Sequence, residues 1–469
     1  VSRERAVLAV VVCVSAIAYG ALSLLRLADF EASAYDLVIF DQAVRSYSHF
    51  DLPVAIVKGV HNDFGPGFTV LGDHWSPILA LLAPLYWVYD GPQTLLVAQA
   101  VLLAVAAIPL WVFARRALGA GVAHVTAIAY SLSWPVVEAV AFDFHEVAFV
   151  PLLSAVLLER WQAGGRLGVG LATFGLLCVK EDMGLLVAGF GLVLLTRHGR
   201  RLMGGAFVAG GLASTWLASQ VLIPAFGGRS DYYWAYGAIG PDPASAARNA
   251  LADPVAVVAQ LGTPPVKLVT LGLLLGLTLL AALLSPLVLM AVPLLAERML
   301  ASSFPNWWVP DHHYNAFVVV VILAAGVDGV RRFRTGSERA VRWWAAGVLA
   351  FAMATVPFFS LSALADPGLY GHDRRERAAA AAVAVVPDGA LVEAANNLAP
   401  ALSGRSTVLL WDRTPRWAPW VVADIGRKTF PFQSLAEQRA RVDALQGQGY
   451  GIRFAGDDFV VLARGPQGR

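Results

Sequence analysis

The sequence predicts an α-helical polytopic membrane protein of about 11 transmembrane helices, with a small extracytoplasmic α/β domain at its C-terminal end. Three observations carry this expectation. The 469 residues are 57% hydrophobic and 14% charged, with a mean hydropathy of +0.62, well above an ordinary soluble domain. Apolar runs of about 17 to 25 residues, each long enough to cross a hydrocarbon core of roughly 30 Å, recur between Ala6 and Ser360. Beyond Asp366 the chain becomes more polar, and short β-like runs alternate with helical ones.

Arginine placement orders the crossings. Clusters at "SRER", Arg115 with Arg116, Arg160 with Arg166, Arg197 with Arg200 and Arg201, and "RRFRTGSERAVR" belong on the cytoplasmic side by the positive-inside rule. The spans are then 6–27, 93–114, 120–137, 147–160, 167–180, 184–196, 202–223, 266–282, 286–300, 314–330 and 341–361, with the N-terminus inside and the C-terminus outside. Ala6–Leu25 reads as an uncleaved first helix. A secretory signal ending at "ASA" (Ala32 to Ala34) would have a shorter apolar core, and more spans follow. Ser76–Asp90 is apolar but short and holds Pro77 and Pro84; a full crossing there would put Arg115 and Arg116 on the wrong side. It is expected as a re-entrant or interface-lying helix. The transmembrane domain therefore covers 1–362, with large outer loops at 28–92 and 225–265, and the α/β domain covers 363–469. In that domain "GALVEAA", "STVLLW", "WVVADIG" and "GIRFAGDDFVVLAR" read as strands, and "RRERAAAAAVAVV" and "SLAEQRARVDALQ" as helices. Asn396 and Asn397 follow the first strand, where such residues make a turn and cap a helix, or contact a ligand.

Several function classes find no support. Cys13 and Cys178 both lie in apolar runs, so neither a disulfide framework nor a cysteine metal site is proposed. There is no HExxH, no GxxxxGK[ST], and no GxGxxG between strand and helix, which argues against direct use of a nucleotide. Nothing points to a nucleic-acid partner.

The polar residues gather at the outer ends of the spans. Seven groups do so: Asp36 and Asp41, His61 and Asp63, Asp73 and His74, Asp143 with His145 and Glu146, Lys180 with Glu181 and Asp182, Glu297 and Arg298, and Asp311 with His312, His313 and Tyr314. A charged side chain facing lipid at the bilayer centre costs about 2.5–3.5 kcal/mol on insertion scales, so "KED" is expected to face protein or a watery cavity. Taken singly, each group is equally well a loop charge or an internal ion pair that fixes helix packing. A single shared pocket explains them together. Asp73, His74, His145 and His313 are candidate ligands for a divalent cation, since imidazole and carboxylate suit one. The aromatic runs Tyr232–Tyr236 and Trp307–Trp308 fit an interface belt, or a platform for a sugar ring or isoprenoid chain.

The segments "YDLVIFDQAVRSYS", "NDFGPGFTVLGDHWSPILALLAPLYWV", "FDFHEVAFVPLL", "KEDMGLLV" and "DHHYNAFVVVVILA" resemble the domain-of-unknown-function family 2079 of bacterial polytopic proteins, over essentially the whole chain. That family in turn looks like the GT-C superfamily of glycosyltransferases. The resemblance implies a GT-C-like transmembrane domain in the bacterial plasma membrane, a polyprenyl-phosphate sugar donor and a cell-envelope glycan or lipid acceptor. It also implies an acidic residue just after the first span, commonly in an Asp-Glu pair, that serves as catalytic base or as a metal ligand. "FDQA" places Asp41 there, with Asp36 as competitor; the second member of the pair is Gln42 in this sequence. Asp41 or Asp36 would take the acceptor proton, and Lys180, Arg298 or, less readily, Arg45 would meet the departing phosphate, with or without a cation. His74, His145 and His313 would position the sugar or hold that cation. Glu146, Glu181 and Asp182 would bind sugar hydroxyls or hold Lys180. Asp73, Asp143 and Tyr314 complete the substrate-binding candidates. The rivals are a transporter or flippase, whose polar path would run through both leaflets, and a non-catalytic scaffold.

Overall fold

The computed structural model describes residues 3–229, 234–333 and 337–465. Tyr232, Tyr233 and part of the "RRFRTGSERAVR" cluster lie outside them. Five helices are long and apolar enough to cross a membrane: Arg3–Ala28, Gln93–Leu118, Ala120–Ala141, Arg201–Ala225 and Glu338–Phe358. Eleven crossings are therefore not established. The other apolar segments form shorter helices, including Phe149–Gln162, Arg166–Leu177, Met183–Leu195 and Val266–Gly276. The expected span 266–282 ends early, because Leu279 and Leu280 take positive φ and turn the chain. The expected span 286–300 starts as a 3₁₀ turn, Pro286–Met290, before becoming helix Val292–Leu300.

Sequence patterning explains how these helices pack. In Arg3–Ala28, Val7, Val10, Val14 and Ile17 form an exposed stripe at helical spacing, while Leu8, Ser15, Tyr19 and Leu22 face inward. Buried Tyr19 and Ser23 donate to the carbonyls of Ser131 and Val140, tying the first helix to Ala120–Ala141. Ala316–Phe333 is buried on every side from Phe317 to Val327, as its unbroken apolar run requires of a helix at the centre of a bundle. Met183–Leu195 and Arg201–Leu217 approach through glycines: a Cβ added at Gly211 would lie 2.3 Å from the Gly184 carbonyl oxygen.

Ser76–Asp90 is a short broken element, a 3₁₀ turn at Pro77–Leu82 running into a helical turn at Ala83–Tyr86. Leu81, Leu85, Trp87 and Val88 are exposed on one side while Leu79, Leu82 and Tyr86 are buried on the other.

The C-terminal residues form a five-stranded mixed sheet: β1 (Leu391–Ala394), β2 (Thr407–Leu410), β3 (Trp420–Asp424), β4 (Tyr450–Gly456) and β5 (Phe459–Arg464). The order is β2-β1-β3-β5-β4. β1 pairs parallel with both β2 and β3, and β5 pairs antiparallel with β3 and β4. "GIRFAGDDFVVLAR" is thus a hairpin, turned by Asp457 and Asp458 at positive φ. Arg374–Ala384, opened by an Asp373–Glu376 capping box, and Leu435–Gly447 are its longer helices.

Four contacts lock this sheet onto the loop after the first helix. Gln42 Nε2 donates to the Val408 carbonyl at 3.0 Å while its Oε1 accepts from Val57 N–H at 3.0 Å. His61 meets Asp412 at 2.9 Å, Arg416 meets Asp63 at 3.1 Å, and Asn396 caps the chain at Ala34 and Tyr35. A glutamate at 42 would have no hydrogen to give Val408, which supplies a physical reason for glutamine there.

The glycine contact makes a paired prediction. Gly211→Val drives side-chain atoms into the opposing backbone and is expected to destabilise by about 1–3 kcal/mol or more, whereas Gly210→Val, with nothing within 4 Å of its Cβ, is tolerated. Thermal unfolding of the two detergent-solubilised variants checks this; equal midpoints contradict the packing.

Candidate active site

A cavity of about 480 Å³ opens where the sheet meets the helical part, lined by residues from both. From the loop after the first helix come Ser33, Tyr35 and Asp36; from the turn ending Ala120–Ala141 come Phe142, Asp143 and His145; His313 and Tyr314 precede the central helix; Asn396 and Phe430 come from the sheet domain. Each helical contributor lies at a helix end, where chain reversal frees backbone groups and side chains from the apolar bundle.

Asp36 sits in a π-helical turn, Ala34–Val38. Its carboxylate faces His145 Nε2 at 3.3 Å and accepts from Ser33 Oγ at 3.0 Å. Ser33 also reaches Asp143 through its N–H at 2.8 Å and its Oγ at 2.7 Å. Burial works to raise Asp36, but the hydrogen bond and charge of His145, with Ser33 and Lys58, outweigh it and hold the carboxyl below its ordinary range. Burial and then Asp36 itself push Asp143 up to about 7. Neighbouring carboxyls pushed in opposite directions form one proton acceptor and one proton holder.

A second polar layer lies one residue behind the wall. Lys180 Nζ is 3.5 Å from a Glu146 carboxylate oxygen, next in the chain to His145. Arg298, 2% exposed, donates through one terminal nitrogen to the Tyr314 carbonyl, leaving its Nε and the other terminal nitrogen without protein partners among the described residues. Glu181 accepts from His74 at 2.8 Å and from Trp75 N–H at 3.2 Å, and Lys58 pairs with Asp73 at 3.0 Å. Asp182 and Glu297 each leave one buried oxygen without a partner, beside Lys180 and Arg298. "VKEDMG" is the turn that ends Arg166–Leu177 and starts Met183–Leu195, so its charges meet other loops rather than lipid.

Asp41 does not line the cavity. It is fully buried on helix Ile39–Ser48, held by Arg45 at 2.9 and 3.1 Å and by Tyr86 Oη at 2.7 Å. Burial raises its pKa despite those partners. Arg45 in turn pairs with Asp90 at 2.6 Å. This cluster clamps the Pro77–Tyr86 element to its neighbour.

The metal candidates do not converge on an ion. His145 and His313 are stacked, with ring centroids 3.8 Å apart and planes 22° apart, an arrangement in which in-plane lone pairs do not meet at one point. His74 Nδ1 faces Glu181 and Asp73 is taken by Lys58. Among the described residues the three-donor group is elsewhere, Asp29 with His372 and Glu376, and Glu376 there already caps Asp373 N–H.

Ser33, Asn306 and Phe430 had no signal in the sequence; Ser33 looked like part of a small-residue "ASA", and Phe430 stands in an unpatterned loop. The link between Asn396 and the first loop spans 361 positions, beyond any local pattern.

The family model for predicted membrane proteins of the DUF2079 group matches residues 26–461. The chain belongs to this family. Among solved structures, ArnT from Cupriavidus metallidurans, crystallised with undecaprenyl phosphate, superposes with a TM-score of 0.56 at 12% identity, covering 98% of this chain and 99% of that one. The archaeal oligosaccharyltransferase AglB from Archaeoglobus fulgidus, in complex with an inhibitory peptide and a dolichol phosphate, gives 0.44 at 12% identity, covering 99% and 74%. Curated proteins give no sequence match. The DUF2079 chain is thus a multi-pass membrane protein with a GT-C-like fold.

Two stability predictions follow from the ion pairs. Asp41→Ala leaves Tyr86 Oη without its acceptor and Arg45 with Asp90 alone, and is expected to cost about 1–3 kcal/mol, read as a lowered thermal midpoint; an unchanged midpoint contradicts the clamp. His74 is raised above its ordinary value: burial and Lys180 lower it, but Glu181 and Asp73 prevail. Its contribution is therefore full below about pH 6.5 and is lost as pH rises through the raised folded value. The wild-type advantage over His74→Gln in thermal unfolding should be larger at about pH 6 than at about pH 9; an equal or reversed difference contradicts it.

Proposed function

We propose that the protein is a glycosyltransferase of the GT-C type that moves a sugar from a polyprenyl phosphate to a cell-envelope hydroxyl on the outer face of the bacterial plasma membrane. The observation that carries this is the cavity in which Asp36, an imidazole-paired carboxylate, stands at the mouth of a polar interior holding Lys180 and Arg298. In this reading the C-terminal sheet and the cavity lie outside. The arginines of the far end, Arg115 with Glu4, Arg116 with Glu159, and Arg331 and Arg332 with Asp328, lie in the cytoplasm. Further short helices complete the crossings.

Asp36, kept ionised by His145, takes the proton of the acceptor hydroxyl. The acceptor oxygen attacks the anomeric carbon, and the bond from that carbon to the phosphate oxygen breaks with its electron pair leaving on the phosphate. Lys180 and the unpartnered nitrogens of Arg298 supply the positive charge that the leaving group needs. His313 and Tyr314 line the cavity beside the place where sugar and phosphate join. Asp36 is preferred to Asp41 because every oxygen of Asp41 is occupied inside a closed ion pair. No step runs through a metal ion, since the candidate ligands do not share a centre.

The test is transfer by the purified protein in nanodiscs, with radiolabelled polyprenyl-phosphate sugars and envelope acceptors. Asp36→Asn is expected to lower the rate by on the order of 10²–10⁴. Full activity in that variant removes Asp36 from the mechanism, and lipid flux across liposomes without a covalent product replaces the transferase by a flippase.

A further inference from the structure

The sheet domain contributes two residues to the cavity, and their chemistry bears on what enters it. Asn396 turns both of its carbonyl oxygens toward the first loop: its backbone oxygen accepts from Ala34 N–H at 2.7 Å and its Oδ1 from Tyr35 N–H at 3.0 Å. These are two of the orphan donors at the start of the turn that carries Asp36. The side-chain orientation is thereby fixed, and the amide nitrogen is left with no protein acceptor among the described residues while the residue lines the cavity. Phe430 packs against Tyr35 with ring centroids 4.8 Å apart and against His61 at 5.4 Å, yet stays 45% exposed. An aromatic ring propped by two others and open on its remaining surface, at the wall of a polar cavity, is a stacking platform. Asn306 lines the same cavity and adds a second amide.

The charge of the mouth narrows the ligand. Arg26 is the cation lining the cavity among the described residues, and Glu31 neutralises it at 2.7 Å. The carboxyls of Asp36 and Asp143 face the same space. Lys180 and Arg298 do not line the cavity; Lys180 faces Glu146 and Arg298 the Tyr314 carbonyl. A phosphate or carboxylate there would meet the Asp36 carboxylate, with Arg26 already paired to Glu31.

We infer that Asn396 and Phe430 form an acceptor subsite for a neutral saccharide, which stacks a sugar face on the ring, receives the amide hydrogens at its hydroxyls and turns one hydroxyl toward Asp36. This rests on the transferase reading for its role as acceptor, but its binding can be measured without transfer. A volume of about 480 Å³ lies in the range of small-molecule sites and suits a ligand of one or two sugar rings.

The experiment is a glycan array probed with the full-length protein in nanodiscs, displaying neutral hexose and pentose oligosaccharides beside counterparts that carry uronate or phosphate. Binding is expected on neutral structures only. Phe430→Ala and Asn396→Asp should each weaken it about tenfold, and Phe430→Trp should retain it. Asn396→Asp is the informative change: it retains an oxygen for Tyr35 N–H and so preserves the cap, but removes the donor hydrogens. Thermal unfolding of each variant reports retained folding. Binding that ignores Phe430→Ala and Asn396→Asp, preference for the acidic glycans, or no binding at all overturns the subsite. Neutral-glycan binding without any transfer keeps the subsite and removes the transferase; transfer to a phosphorylated acceptor without neutral-glycan binding does the reverse.

Discussion

A charge taken out of water must find a partner, and in this chain the partners lie on other segments. Asp36 meets His145, Lys58 meets Asp73, His74 meets Glu181, and Lys180 meets Glu146. Lys58 and Asp73 close one loop on itself, while the other three pairs join separate stretches, so satisfying the charges brings the ends of several helices toward one place. Apolar packing alone would not choose that arrangement, because lipid solvates leucine as well as another helix does. Arg298 is the exception: buried, charged, and only partly hydrogen-bonded by the protein among the described residues.

The loop after the first helix transmits this constraint to the sheet domain. It carries Asp36, receives the cap from Asn396 and sends Gln42 to β2. The geometry of the carboxylate therefore depends on a domain more than 350 positions away in the chain, as the Tyr35–Asn396 bond shows. Such a domain is part of the cavity rather than an appendage, and the arginine-rich end is built differently. There Glu4, Glu159 and Asp328 are each engaged by arginine.

Membrane character was legible from hydropathy, because about 20 consecutive apolar residues have few other uses. The number of crossings was not. Segments such as Met183–Leu195 are apolar enough but short, and nothing local separates a short crossing from a buried half-helix. The polar clusters were legible as a group because charge in an apolar chain is costly wherever it falls. Their assembly was legible only in part. Asp36, Asp143, His145, His313 and Tyr314 do line one cavity, and Lys180 and Arg298 stand directly behind it. Asp41 differs because Arg45, one helical turn along, and Tyr86 close around it; only the fold brings Tyr86 there. Stacking of His145 on His313 likewise follows from how two loops meet, which spacing does not encode.

The central claim is that the polar ends of separate helices and one face of the sheet domain enclose a single site for a lipid-linked sugar. Cryo-electron microscopy of the nanodisc-embedded protein with a non-hydrolysable polyprenyl-phosphate sugar tests it most directly. The account predicts the phosphate density against Lys180 and Arg298 and the sugar between His313 and Asp36. A headgroup resolved beside Arg115 and Arg116, or lying outside the cavity against the bundle surface, would contradict it.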